Sequence, residues 1–199
     1  MKAEIRNRFA DNLLRVDNLV TVYSERAPGL QGRRPATDGD LLRAAVVFLH
    51  ATLEDMLRSV ARMRLPHASG AVLSSIPLLG HHGKGRLSFS LGDLAVHRGK
   101  AIQDLLEESI DAHLEFATYN SNDDIARLLN EIGIDPAQFS SNYPDLQSLM
   151  KRRHHIVHRA DARVVAGSGH HRARSISPWE VRKWARVVGE FGTQLLANL

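Results

Sequence analysis

The strongest constraint on this 199-residue chain is the return of apolar side chains at helical spacing in one segment after another. Ile5, Phe9, Leu13, Val16, Val20 and Tyr23 predict an amphipathic helix over the first two dozen residues, stopping before Pro28 because proline cannot extend the helical ladder. After a loop from Gly29 to Gly39, Asp38 or Asp40 is placed to cap a second helix. That helix runs through Leu41, Val46, Leu49, Leu53, Leu57 and Val60 and ends before Pro66. Between Ala44 and Leu49 it is apolar nearly all round, as a helix at the centre of a bundle would be. Residues 66–92 carry Pro66, Gly70, Pro77, Gly80, Gly83 and Gly85. They predict a long irregular insertion in which VLSSIPLL is either a short strand or a buried loop.

The periodicity then resumes. Ile102, Leu105, Leu106, Ile110, Leu114 and Ala117 predict a third helix, and Asn122 or Asp123 opens a shorter one through Ile125, Leu128, Leu129 and Ile132, closed by Gly133. Asp135-Pro136 begins a turn. Leu146, Leu149, Met150, Ile156 and Val157 mark a further helix after Asn142. Ser177-Pro178-Trp179-Glu180 has the form of a capping box with proline at the first helical position, and opens a last helix striped with Val181, Trp184, Val188, Phe191 and Leu195. The expected architecture is all-α: a helical bundle with two long antiparallel pairs, shorter insertions and a single domain over residues 1–199.

At 43% hydrophobic residues the chain can bury a core without covalent help. No apolar run approaches the ~18 residues that cross a bilayer, so no membrane partner is expected. The charged start, MKAEIRNRFADNLLRV, does not have the form of an export signal, and the expected location is the cytoplasm. The absence of cysteine excludes disulfide scaffolds, thiol nucleophiles and cysteine-based zinc sites.

Charge is distributed unevenly. Residues 101–150 hold ten acids against the single base Arg127, whereas residues 151–186 hold ten Lys or Arg against Asp161 and Glu180 alone. A basic stretch this dense suits a polyanion, although it also suits a surface that balances its acidic neighbour.

Within that stretch Arg153 falls seven residues after Leu146, in the middle of a face otherwise made of Leu149, Met150 and Val157. A charge there must snorkel, pair with a buried acid such as Glu54, or meet a ligand, because an unpaired buried charge costs several kcal/mol at least, roughly. Arg153 is followed by His154 and, five positions on, by His158. An imidazole titrates near neutrality and can take or give a proton, while a guanidinium is always charged and offers a fork to a phosphate. The two residue types together suit phosphodiester cleavage. On an ideal helix they lie about 140° apart, so convergence needs a bent or frayed helix end, or long side chains.

The string KRRHHIVHRAD resembles the motif of the HEPN superfamily, whose ribonuclease members carry R-x4-6-H near the end of a late helix. The ordered set FLHATLEDMLR, IPLLG, FSLGDLAVHRGKAIQDLLEESI and NDDIARLLNEIGID resembles the RiboL-PSP-type HEPN branch over about residues 40–161. That resemblance implies a HEPN-like bundle acting as a metal-independent endoribonuclease, in which the 2′-hydroxyl attacks phosphorus and leaves a cyclic phosphate. It implies no cofactor. Arg153, His158 and His154 are the implied catalytic residues; Arg152, Arg159 and Glu54 stand on the substrate side, and His50 lies one turn before Glu54. RNA is the implied partner, bound also by Arg163, Arg172 and Arg174. The site is completed in a symmetric homodimer, and a toxin or anti-phage role would bring an antitoxin or regulatory protein. His170 and His171 read as exposed loop residues.

Two other readings compete. His154 and His158 have the i, i+4 spacing of helical zinc ligands, but HHIVH lacks the glutamate of H-E-x-x-H, and the expectation is no metal. Alternatively, the fold is a non-catalytic RNA-binding or protein-interaction HEPN module.

Overall fold

The computed structural model describes residues 1–26, 36–80, 90–162 and 173–199. Those residues form seven α-helices: α1 (Lys2–Glu25), α2 (Ala36–Arg64), α3 (Gly70–Leu73), α4 (Ile102–Glu115), α5 (Asn122–Glu131), α6 (Tyr143–Arg159) and α7 (Pro178–Ala197). Short 3-10 turns occupy Leu65–His67, Asp93–His97 and Pro136–Phe139. Among the described residues the extended structure is one isolated antiparallel bridge, Ala162 with Ala173. The chain is all-α, as the periodicity predicts. No described helix is long and apolar enough to cross a membrane.

The residues fall into two compact units. One comprises residues 1–56, 120–122 and 137–199, the other residues 57–119 and 123–136. In the first unit α1 and α6 both pack against α7. Ile5, Phe9, Val16, Val20 and Tyr23 line the buried face of α1, and Val181, Trp184, Val188, Phe191 and Leu195 that of α7, matching both predicted stripes except at Leu13, which is only half-buried. Fully burying a side chain of this size stabilises by about 1.5–3 kcal/mol, so these stripes dominate the unit's stability. Leu42, Leu49 and Leu53 of α2 are completely buried. The expected all-round burial between Ala44 and Leu49 is incomplete: Ala44 and Val47 are half-buried and Phe48 is 50% exposed.

In the second unit Leu57, Val60, Ala61 and Leu65 share a core with Ile110, Leu114, Ile125, Leu128 and Leu129. Ile102, predicted on the apolar stripe of α4, stands exposed at the helix's first residue. The VLSSIPLL segment is not a strand. Its first residues end α3, where Ser74 Oγ donates to Gly70 O at 2.7 Å and Ser75 Oγ to Val72 O at 2.7 Å, capturing carbonyls a strand would need for pairing. Beyond α3, the Leu79 N–H donates to Ser109 Oγ at 3.0 Å.

The boundary of α2 also differs from expectation. The helix begins at Ala36, a turn before the predicted caps, so Asp38 lies in its first turn, where the helix dipole favours an anion. Asp40 pairs with Arg43 at 3.1 Å. The Ser177 capping box is formed as predicted, with the Glu180 N–H donating to Ser177 Oγ at 3.2 Å and the Ser177 N–H to Glu180 Oε2 at 2.9 Å.

Helix packing in the first unit depends on Gly192. A Cβ there would lie 2.4 Å from Phe9 Cζ and 2.7 Å from Met56 Sδ, and the Phe9 ring is itself buried. At Gly189 a Cβ would meet only Leu13 Cδ1, at an ordinary 3.6 Å. Overpacking a core costs about 1–3 kcal/mol, whereas glycine to alanine in a helix gains about 0.5–1 kcal/mol. Gly192→Ala is therefore expected to lower the urea midpoint and Gly189→Ala to raise it; a Gly192→Ala midpoint at or above wild type would refute the close approach.

Candidate functional site

The site is built on the last turns of α6, residues Lys151 to Arg159. Pro144 stands in the helix's first turn, where its missing N–H is no loss. Leu146, Leu149 and Met150 seat one face in the core. That face is half-buried at Arg153 and 47% exposed at Val157, which the periodicity had placed inside. The apolar seam thus continues beyond the part of the helix that the core covers.

The helix ends in two left-handed residues, Ala160 (φ 46°) and Asp161 (φ 54°). The Asp161 N–H donates to His155 O at 3.0 Å and the Ala162 N–H to Arg159 O at 2.9 Å, satisfying carbonyls at the helix end. Aspartate tolerates this conformation; alanine costs about 1–2 kcal/mol there. Something must hold the turn, and it is Asp161's carboxylate, which has no solvent exposure. Its Oδ2 accepts from Arg43 Nε at 2.9 Å and from Arg152 Nη2 at 2.7 Å. Arg43 Nη2 donates to Arg174 O at 2.8 Å, Arg152 Nη2 donates to Ser175 O at 3.0 Å, and the Arg174 N–H donates to Asp161 O at 2.8 Å. A Cβ on Gly39 would reach within 2.8 Å of Arg43 Nη1, so the glycine leaves room for that guanidinium. Burial pushes the Arg152 pKa down, Asp161 opposes the shift, and Arg174 and Arg43 repel the same charge.

This clamp was not foreseen from sequence, although one signal was present: Asp161 is the sole acid between Lys151 and Ser177. It also redirects Arg152. That residue was expected on the substrate side, and its Nη2 is instead engaged by Asp161 and by main-chain carbonyls.

Among the described residues, the buried Nε of Arg153 has no hydrogen-bond partner. The ion pair with Glu54 that sequence suggested is not formed among the described residues; Glu54 Oε2 instead lies 3.7 Å from Nδ1 of the buried His50, one turn earlier on α2. His154 and His158 are exposed and adjacent, with ring centroids 4.6 Å apart and planes tilted by 43°. Arg159 is exposed beside them. The helix runs unbroken to Arg159, so Arg153 and His158 remain about 140° apart around it. Arg163, His170, His171 and Arg172 lie outside the described residues. Among the described residues, no three His, Asp or Glu side chains come together as metal ligands.

A family model, RiboL-PSP-HEPN, matches residues 10–195, which is nearly the whole chain and takes in both compact units. The chain belongs to the RiboL-PSP-HEPN family. The all-α architecture agrees with that membership. No curated protein and no solved structure is a match.

Desolvation holds the His154 pKa below the ordinary 6.5, with the charges of His158, Arg159, His155 and Arg153 acting in the same direction. His154 is thus neutral at pH 7. As pH falls the unfolded chain takes up this proton before the folded one does, so the group lowers stability from about pH 6.5 downward, through its depressed pKa. An NMR titration is expected to give His154 a midpoint below 6.5 that rises on His158→Ala; a midpoint indifferent to that substitution would contradict the coupling.

Removing one partner of a buried ion cluster typically costs about 3–5 kcal/mol, because the other charges are left unpaired. Asp161→Ala should lose stability of that order in urea unfolding. Arg43→Ala added to it should cost clearly less than it does alone; additive effects would show the clamp to be energetically idle.

Proposed function

We propose that this HEPN protein is a metal-independent endoribonuclease whose reactive face is the exposed end of α6. The observation that carries the reading is the exposed His154–His158 ring pair at 4.6 Å, next in the chain to the half-buried Arg153. A neutral imidazole can accept the proton of an RNA 2′-hydroxyl as that oxygen attacks the adjacent phosphorus. The bond to the 5′-oxygen breaks, that oxygen receives a proton from an acid, and a 2′,3′-cyclic phosphate remains. Arg153 and Arg159 offer charge-assisted hydrogen bonds to the phosphate oxygens as negative charge builds. In this division of roles His158 moves the proton, His154 packs beside it, and Glu54 acts on α2 through His50 rather than on the substrate.

In-line displacement needs the base and the acid on opposite sides of phosphorus. His154 and His158 lie together on one side of one helix, so one chain supplies half of the apparatus. The proposed active form is a homodimer in which a second copy of α6 supplies the other half, and a two-fold axis duplicates every group without new sequence. Half-exposed Val157, on the Arg153 side of the helix, suits such a contact. The family match through both compact units supports their acting as one HEPN-like domain. Toxin or defence activity, control by an antitoxin or other regulator, and a cytoplasmic location belong to the same proposal.

The test is cleavage of labelled RNA in EDTA. His158→Ala and Arg153→Ala should each reduce the rate by about 10²–10⁴-fold, the range of a lost proton-transfer or charge-stabilising group, while circular dichroism stays unchanged. The wild-type product should carry a cyclic phosphate. Equal cleavage by all three proteins would overturn the assignment, and RNA binding without cleavage by the wild type would favour a non-catalytic RNA-binding module.

A further inference from the structure

The cleavage face accounts for Arg153, His154, His158 and Arg159, and the clamp for Arg152. Lys151 and His155 remain. They lie on a different stripe of α6, about one turn apart, and face α7 across a cavity of about 510 Å³. Arg152, Arg174, Glu180 and Trp184 also line it.

Three features of this cavity point to an anion. First, its lining holds Lys151, Arg152 and Arg174 against the single acid Glu180, whose carboxylate already accepts from the Ser177 N–H and hydroxyl. Second, its donors are unengaged: among the described residues no hydrogen bond or ion pair is made by the side chains of Lys151, His155 or Arg174, and Arg152 Nε is buried without a partner. Third, Arg152 is destabilised as a cation by burial and by the neighbouring Arg174 and Arg43, and an incoming anion would relieve that repulsion.

We infer that the α6–α7 cavity is a second binding site, separate from the cleavage face, for a terminal phosphate group on a nucleotide-sized ligand. Lys151, Arg174 and His155 contact the phosphate, and the Trp184 side of the cavity offers an apolar wall to the rest of the ligand. The volume falls in the range of pockets that enclose small ligands. A terminal phosphate occurs both on a free mononucleotide and at the 5′ end of an RNA. The inference does not rest on nuclease activity, since none of the proton-moving residues lines the cavity.

The chain has two tryptophans, so Trp179→Phe leaves Trp184 as the only indole reporter. In a His158→Ala background, which keeps RNA intact, its fluorescence would be followed against 5′-AMP, adenosine, inorganic phosphate, and a short RNA with either a 5′-phosphate or a 5′-hydroxyl. Saturable binding of 5′-AMP but not adenosine is expected if the ligand is a free nucleotide. Binding of the 5′-phosphorylated RNA alone would assign the site to RNA ends. In either case Lys151→Ala and Arg174→Ala should each weaken binding by about tenfold, as loss of one charge-assisted contact does. Both side chains are exposed, and Arg174 serves the clamp through its main chain, so the variants retain the fold. No saturable signal with any phosphate-bearing ligand, an equal response to adenosine, or unchanged affinity in both variants would overturn the inference. Loss of RNA cleavage in the assay above would leave it standing.

Discussion

Asp161 is the point on which the rest of the α6 terminus depends. A fully buried carboxylate, held between two guanidiniums at 2.7 and 2.9 Å, ties the end of α6 to α2 and to the chain at Arg174. It stands in the left-handed turn, Ala160–Asp161, that stops the helix one residue after His158. Buried ion pairs bring little net stability over apolar packing, because desolvating the charges offsets much of their attraction. Their effect is geometric: an acceptor that must be met by two specific donors permits very few backbone arrangements. Here it determines where α6 ends and which of its cations remain available.

The string KRRHHIVHR shows how one helix divides a run of cations among different tasks. With about 100° between successive residues, neighbours in sequence point to different surroundings. Lys151 and His155 face the α6–α7 cavity, Arg152 turns to Asp161, Arg153 continues the core seam, and His154 and His158 pair at the surface. Average charge density over this stretch suggests a uniform polyanion-binding surface. The structure instead separates an internal structural cation, Arg152, from cations with no hydrogen bond or ion pair among the described residues, and spreads the latter over different faces of α6. The same geometry keeps Arg153 and His158 of one chain apart, which is the physical reason for proposing that two copies build the reactive centre.

Much of the fold was legible in the residues alone. The stripes of α1 and α7, the Ser177 capping box, the stops before Pro28 and Pro66, and the closing of α5 at Gly133 are all consequences of near-neighbour chemistry, and each appears where it was expected. Errors fell where near-neighbour rules compete with distant packing. Val157 and Ile102 satisfy their helices' periodicity yet stand exposed, since periodicity says which residues share a face but not how far along that face the core extends. The early start of α2 and the helical turn in VLSSIPLL are boundary effects, set by an acid near a helix dipole and by serine hydroxyls that bind carbonyls.

By itself, then, the sequence determined the helical class, the order of the helices, membership of the HEPN family and the cluster of Arg and His near the end of α6. These rest on contacts within a few residues, because an α-helix closes its hydrogen bonds four positions apart. Only the tertiary structure decided that Arg152 belongs to Asp161, that Glu54 sits beside His50 rather than Arg153, and that Lys151 and His155 look into a cavity rather than toward the His154–His158 pair. Arg43 and Asp161 are 118 positions apart, and no periodic pattern encodes a meeting at that range. Where a charge ends up depends on which partner the folded chain brings to it.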